Sequence, residues 1–208
     1  MLDANTIVIF LSAAILLALA PGPDNLFVLA QAVQNGSRAG FAVTCGLCTG
    51  LFGHTAAVTC GVAALIQTSA MAFTLLKGIG AAYLFYLAWQ AFRAGVTHAS
   101  TRVNATPSMG RLYRRGIIMN ISNPKVSFFF LAFLPQFADP ARGSVSLQLL
   151  LLGGLFLLAT IVVFGGISLT AGHLGNRARQ SARVQQIINC LTGTLFAGLA
   201  IKLALTRQ

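Results

Sequence analysis

The chain has 208 residues, 56% of them hydrophobic and 8% charged, where soluble domains carry roughly 25% charged residues; with a mean hydropathy of +0.80, this excludes a soluble globular fold and points to a chain dissolved in lipid. The net charge is +11, with Asp3, Asp24 and Asp139 as the acids and no Glu, but no groove-reading element accompanies the basic residues, so nucleic acid is excluded as a partner. At about 20 apolar residues per crossing, the length holds several spans and no soluble domain beside them.

Six apolar segments predict an all-α integral membrane fold with six transmembrane helices. In chain order they lie at about Asn5–Gln34, Gly40–Ile66, Met71–Phe92, Gly116–Phe137, Leu147–Ala171 and Val184–Leu205. Ahead of the first stands Asp3 with no Lys or Arg, and the apolar run continues past Pro23, so this segment is read as an uncleaved span rather than a cleaved leader. It is too long for one straight crossing. It contains Ala20-Pro21-Gly22-Pro23, and two prolines with a glycine remove backbone hydrogen bonds and break a helix. The second segment carries small residues at Gly46, Gly50, Gly53, Ala57 and Gly61, a stripe that lets helices approach closely and would also permit a homodimer. The fourth contains Asn120-Ile121-Ser122-Asn123-Pro124-Lys125, a second break of the same kind. Broken helices at membrane depth persist only where they are buried in protein or line a wet cavity.

The basic residues set an orientation. Arg38, then Arg93, Arg102, Arg111, Arg114 and Arg115, then Arg177, Arg179 and Arg183 fall in the first, third and fifth connections. Arg142 and Arg207, with Lys202 nearby, fall on the opposite side. The positive-inside rule puts the three basic connections in the cytoplasm of a bacterial inner membrane, beside anionic lipid headgroups, and both termini in the periplasm. Segments one and four carry the proline breaks and the others do not. Gly78 to Leu84 also rhymes with Leu191 to Ala197 in segment six. The reading is one transmembrane domain over residues 1–208, with repeat one at about 1–95, a basic loop at about 93–115 and repeat two at about 112–208. Three spans per repeat is an odd number, so the second repeat inserts upside down. That is the inverted-repeat plan of many secondary transporters, with the site at the midplane between the broken helices.

Asp24 is the one acid deep in an apolar segment, and an intramembrane carboxylate is costly unless paired, hydrated or protonated. It starts a new half-helix, whose positive end favours a negative charge. Three roles suit it: a proton-coupling group, a binder of a substrate ammonium, or an N-cap that repairs the break. Asp24, Val28, Gln31 and Asn35 share one helical face, and Asn120, Asn123 and Ser127 share another in segment four. Lys125 is read as the counter-charge of Asp24, as a snorkelling lysine, or as a direct ligand for a carboxylate. Together Asp24 and Lys125 suit a zwitterion. The candidate substrate and ion pathway is therefore Pro21, Gly22, Pro23, Asp24, Asn25, Gln31, His54, Asn120, Asn123, Pro124 and Lys125. His54 either lines this path or bonds between helices.

Metal and enzyme chemistry find little footing. Cys45 and Cys48 form a CxxC, but His54 lies about 180° round the helix from Cys45, and no second CxxC completes a tetrahedral site. Buried thiols in lipid read as small apolar fillers, so no metal or cofactor is expected. Gly165-Gly166-Ile167-Ser168-Leu169 is not a nucleophile elbow, and a chain without Glu cannot carry His-Glu-x-x-His.

Ala20-Pro21-Gly22-Pro23-Asp24-Asn25 resembles the Pro-Gly-Pro-Asp/Asn signature of the lysine exporter superfamily, in its homoserine/threonine efflux (RhtB) branch. Asn35 to Gly40, Tyr83 to Trp89, Gly116 through Asn120 to Lys125, and Phe133-Leu134-Pro135-Gln136-Phe137 resemble further motifs of that family, in order along the whole chain. The resemblance implies export of amino acids or close derivatives driven by the proton gradient, without nucleotide hydrolysis. It carries over Asp24, Asn123, Pro124 and Lys125. Within the superfamily the branch favours neutral amino acids or homoserine lactone-like metabolites. A metal-cation or other small-solute carrier of the same fold is the alternative.

Overall fold

The structure is a computed structural model and describes residues 2–20, 22–62, 70–93, 107–174 and 182–205; the sequence expectation at Pro21 lies outside them. Among the described residues the chain is helical throughout, without strands. Helix α1 spans Ala4–Leu19 and α2 Pro23–Asn35. Helix α3, Ser37–Ala57, continues through a π-helical turn over Val58–Val62. Helix α4 spans Ala70–Arg93 and α5 Met109–Ile121. Helix α6, Pro124–Phe128, runs into a π turn over Phe129–Phe133 and a 3-10 turn over Leu134–Phe137. Helix α7 spans Val145–Leu174 and α8 Ala182–Leu205.

Two stretches, Ser37–Gly61 and Val145–Ala171, are long and apolar enough to cross a membrane as single helices. Two more qualify as bent pairs, α1 with α2 at 60° and α5 through Phe137 at 50°. In each pair a proline opens the second helix, Pro23 in α2 and Pro124 in α6. At that position its missing N–H would have had no intrahelical partner. Large apolar side chains such as Val8, Phe52, Ile118 and Val162 face outward, a surface suited to lipid rather than water.

Helix α5 begins at Met109, well before the expected Gly116, so Arg111, Arg114 and Arg115 sit on a helix and not in a loop. The reason is its amphipathic pattern. Leu112, Gly116 and Asn120, four residues apart, are buried while the arginines between them are exposed. A hydropathy run cannot see a span that starts on a half-polar turn.

Gly46 and Gly116 form the crossing of α3 and α5. A Cβ on Gly46 would collide with the Tyr113 carbonyl, and one on Gly116 would stand 2.5 Å from the Val43 carbonyl. The obstacles are backbone, so they cannot rotate away. Gly46→Val is expected to destabilise by about 1–3 kcal/mol or more, the range of overpacked cores. A fluorescence-detected melt in detergent that matches wild type would refute this packing. Among the described residues Gly53 and Gly61 meet nothing within 4 Å, so the close crossing uses the first half of the stripe.

Asp3 caps α1. Its Oδ1 accepts the Thr6 N–H at 2.6 Å, and its Oδ2 accepts from Arg142 at 2.5 Å. The Thr6 N–H, with help from Arg142, holds the Asp3 carboxyl below its ordinary 3.8. A depressed folded value means that the stabilisation is complete above the unfolded value and disappears as pH falls through the folded one. The difference in melting temperature between wild type and Asp3→Asn should therefore be flat through neutral pH and shrink only in acid. A difference that shrinks near neutrality would show another group at work.

Candidate functional site

The two helix breaks meet. Helix α1 stops at Leu19, leaving carbonyls that need donors from elsewhere. Each is supplied. Leu16 accepts the Ala20 N–H at 2.9 Å. Leu17 and Ala20 each accept from Lys125 Nζ at 3.1 Å. Ala18 and Leu19 accept from Asn25 Nδ2 at 2.9 and 3.4 Å. The ammonium of one break thus sits on the negative end of the helix that ends at the other. Gly22 makes this passage, since a Cβ there would stand 3.0 Å from Lys125 Nζ.

Across from that end lies Asp24, in the first turn of α2 and 4% exposed. It is not the cap of α2. Gly22 holds that position, and the Asp24 carboxylate turns instead toward α5, where its Oδ2 accepts from Asn120 Nδ2 at 3.3 Å. Asn123, Lys125 and His54 are its other polar neighbours. Asp24 and Lys125 make no direct ion pair, because the ammonium is engaged by carbonyls. Asn123 caps α6, its Oδ1 accepting the Lys125 N–H at 3.0 Å. His54 of α3 bonds through Nε2 to the Asn120 carbonyl at 3.1 Å and packs its ring beside Phe130; this is the interhelical role. Gly50, against which Asn120 rests, gives that side chain its room.

Among the described residues, four buried side-chain atoms lack a hydrogen-bond partner: Asp24 Oδ1, Asn120 Oδ1, Asn123 Nδ2 and Thr59 Oγ1. Three of the four converge at the paired breaks. Buried polar groups are nearly always satisfied, so such a cluster asks for a function. Next to it is a cavity of about 20 Å³, large enough for a water and not for a solute. Asp24, Asn120 and Lys125 form its polar wall; Leu17, Leu51, Val126, Phe156 and Phe164 form its apolar wall. Two hydrophobic clusters among the described residues meet here, one carrying Leu17, Leu51 and Phe156 and the other Ala18 and Phe164.

Of the residues expected from sequence, Gly22, Asp24, Asn25, Asn120, Asn123 and Lys125 are brought together. Pro23 opens the helix that carries Asp24 and Asn25, and Pro124 opens the one that carries Lys125. Gln31 lies further along α2, bonded to Asn35 at 2.8 Å, and is not part of the cavity wall. Thr160 of α7, buried and in that wall, was missed. Its only signal is a hydroxyl inside an otherwise apolar run. Among the described residues no group of three His, Cys, Asp or Glu could hold a metal ion.

The sequence profile of the LysE type translocator family matches residues 15–207. The chain is 34% identical over 203 residues to an uncharacterized membrane protein of Vibrio cholerae, covering 98% of each. It is 31% identical over 202 residues to an uncharacterized membrane protein of Pseudomonas aeruginosa, covering 94% of this chain and 93% of the relative. It is 28% identical over 196 residues to the leucine efflux protein of Salmonella typhimurium, covering 94% and 92%. No solved structure matches the chain.

Proposed function

We infer that this chain, which belongs to the LysE type translocator family, exports neutral amino acids with apolar side chains, coupled to the proton gradient. The observation that carries this reading is the set of unpartnered atoms at the paired breaks. Asp24 Oδ1 and Asn120 Oδ1 are acceptors and suit an ammonium. Asn123 Nδ2 is a donor, and Lys125 Nζ keeps one of its three N–H bonds after serving two carbonyls. These suit a carboxylate. Acceptors for one end and donors for the other match an α-amino acid zwitterion, while the apolar wall suits a branched side chain. Leucine efflux by a relative that matches over nearly its full length supports the same class.

Asp24 is also the group that suits proton coupling, since a carboxylate that exchanges a proton for a substrate ammonium enforces alternation. The architecture we propose is six spans in two inverted repeats, about 1–95 and 112–208, in the RhtB branch of the family. The meeting of the two bent pairs and the packing of α4 against α8 support it. Asp3 of the N-terminus bonds to Arg142 of the connection before α7, which supports their lying on one side, the periplasm of a bacterial inner membrane. The basic connections then face anionic cytoplasmic lipid, and the half of the α3 glycine stripe that meets nothing among the described residues offers a homodimer face.

The test is efflux of labelled leucine from proteoliposomes under an imposed proton gradient. Leucine efflux that accelerates with the gradient and is competed by valine and isoleucine is the expected result. Absence of flux for any neutral amino acid, or flux indifferent to collapse of the gradient, would overturn the substrate or the coupling respectively.

A further inference from the structure

A second cavity lies at the end of the molecule where Asp3 meets Arg142. It measures about 180 Å³ and is lined by Asp3, Thr6, Gln136, Asp139, Arg142 and Gln148, with Phe137 in its floor. Arg142 bridges the carboxylates of Asp3 and Asp139 at 2.5 and 3.1 Å. Buried Gln148 fastens the connection beneath it, exchanging hydrogen bonds with the Asp139 backbone at 3.0 and 2.8 Å and reaching the Gly143 carbonyl at 3.2 Å. This mouth is built, and it carries both signs of charge.

Between this cavity and the one at the breaks stands a column of phenylalanines. Phe156, in the wall of the inner cavity, contacts Phe129 and Phe130 with ring centroids 5.2 and 5.1 Å apart. Phe129 contacts Phe133 at 5.0 Å, and Phe133 contacts Phe137 at 4.9 Å. Phe10 of α1 closes the side, 5.2 Å from Phe137 and 6.1 Å from Phe129. All six are buried. Four of them ride on the segment after α6, where the backbone passes from π turn to 3-10 turn around Pro135. Such irregular helix is frequent at sites that move.

We propose that the two cavities are the ends of one translocation path, that the mouth at Asp3, Asp139 and Arg142 is a transit site for the zwitterion, and that the phenylalanine column is the path's closed barrier. The proposal rests on the transport reading above and extends it beyond the broken helices. Arg142 can offer its guanidinium to the solute carboxylate and release Asp3 or Asp139 to the ammonium. Opening requires the Phe129–Phe137 segment to swing its four rings away from Phe10 and Phe156. While closed, an apolar barrier of this kind resists ions and the zwitterion alike, so passage waits on that movement.

The test uses the full chain with Cys45, Cys48, Cys60 and Cys190 replaced by Ala. Thr6→Cys and Thr160→Cys report the outer and inner cavities. A charged, membrane-impermeant methanethiosulfonate is added to right-side-out and inside-out vesicles in turn. From the side bearing the mouth, Thr6→Cys is expected to label readily and Thr160→Cys slowly. Phe129→Ala with Phe133→Ala should then speed Thr160→Cys labelling from that side by about tenfold or more, the effect of removing roughly 1.4 kcal/mol of barrier. Equal labelling of Thr160→Cys with and without the rings would overturn the barrier. A second arm removes no ring and leaves Asp3, Asp139 and Arg142 in place: a bulky, reducible methanethiosulfonate is attached to Thr6→Cys in the cavity wall. Leucine counterflow should stop on attachment and return on reduction; undiminished counterflow in the labelled protein would overturn the mouth. The labelling arm needs no substrate, so it decides the path even if leucine transport itself fails.

Discussion

Asp24→Asn is expected to fold, insert and melt like wild type while losing most of its transport. The substitution keeps the shape of the side chain, and its amide oxygen can still accept from Asn120 Nδ2, the bond now made at 3.3 Å. It removes a charge that is 4% exposed and has no direct ion pair, and intramembrane charges cost several kcal/mol. Stability should therefore hold or rise. Transport loses two things together. In the proposed site the ammonium of the solute loses a charge-assisted bond of about 1.5–3 kcal/mol, which is about a ten- to hundredfold loss of affinity. On the proposed coupling the site also loses its proton-exchanging group, so coupled flux should fall further, to background. Efflux from proteoliposomes and a detergent melt on the same preparation read the two effects separately. Wild-type flux in Asp24→Asn would end the role proposed for the carboxylate.

Much of this site can be read from sequence because its side chains are polar where every neighbour is apolar. Asp24, Asn120 and Lys125 stand out against long hydropathic runs, and Pro23 and Pro124 mark where those runs must break. The glycines of α3 are legible for the same reason, since a small residue in a span has few uses besides close approach. What escapes is whatever depends on main-chain partners. Lys125 looks like the mate of Asp24 because both are charges; the acceptors it finds are the Leu17 and Ala20 carbonyls, which no side-chain pattern announces. His54 meets the Asn120 carbonyl for the same reason. Asp24 looks like a cap because acids often cap helices, but the chain turns at Gly22 and points the carboxylate across to α5. The start of α5 is hidden by its arginines, and the join of Asp3 to Arg142 by the long stretch of sequence between them.

That dependence on main-chain partners makes Lys125→Met the sharper structural test. Its expected signature differs from that of Asp24→Asn in that stability is lost along with transport. Methionine fills much the same volume, so little packing changes. The Leu17 and Ala20 carbonyls, however, lose their donor beside a buried break. An unsatisfied buried acceptor costs about 1–3 kcal/mol, and the end of α1 also loses the cation that suits its dipole, about 0.3–1 kcal/mol. Against this stands the relief of no longer burying an ammonium. The carboxylate of Asp24 then remains with no cation nearby, and breaking a buried charge arrangement on one side is worse than removing both. The double variant Asp24→Asn with Lys125→Met should accordingly melt higher than Lys125→Met alone, a positive coupling between residues that do not touch as an ion pair. Lys125→Arg should recover part of the stability, because a guanidinium can still donate to carbonyls. It should not recover transport, because Gly22 leaves little room beyond the lysine ammonium. If Lys125→Met instead melts like wild type and adds no coupling with Asp24→Asn, the two breaks are held together by packing alone, and the ammonium belongs to the substrate rather than to the fold.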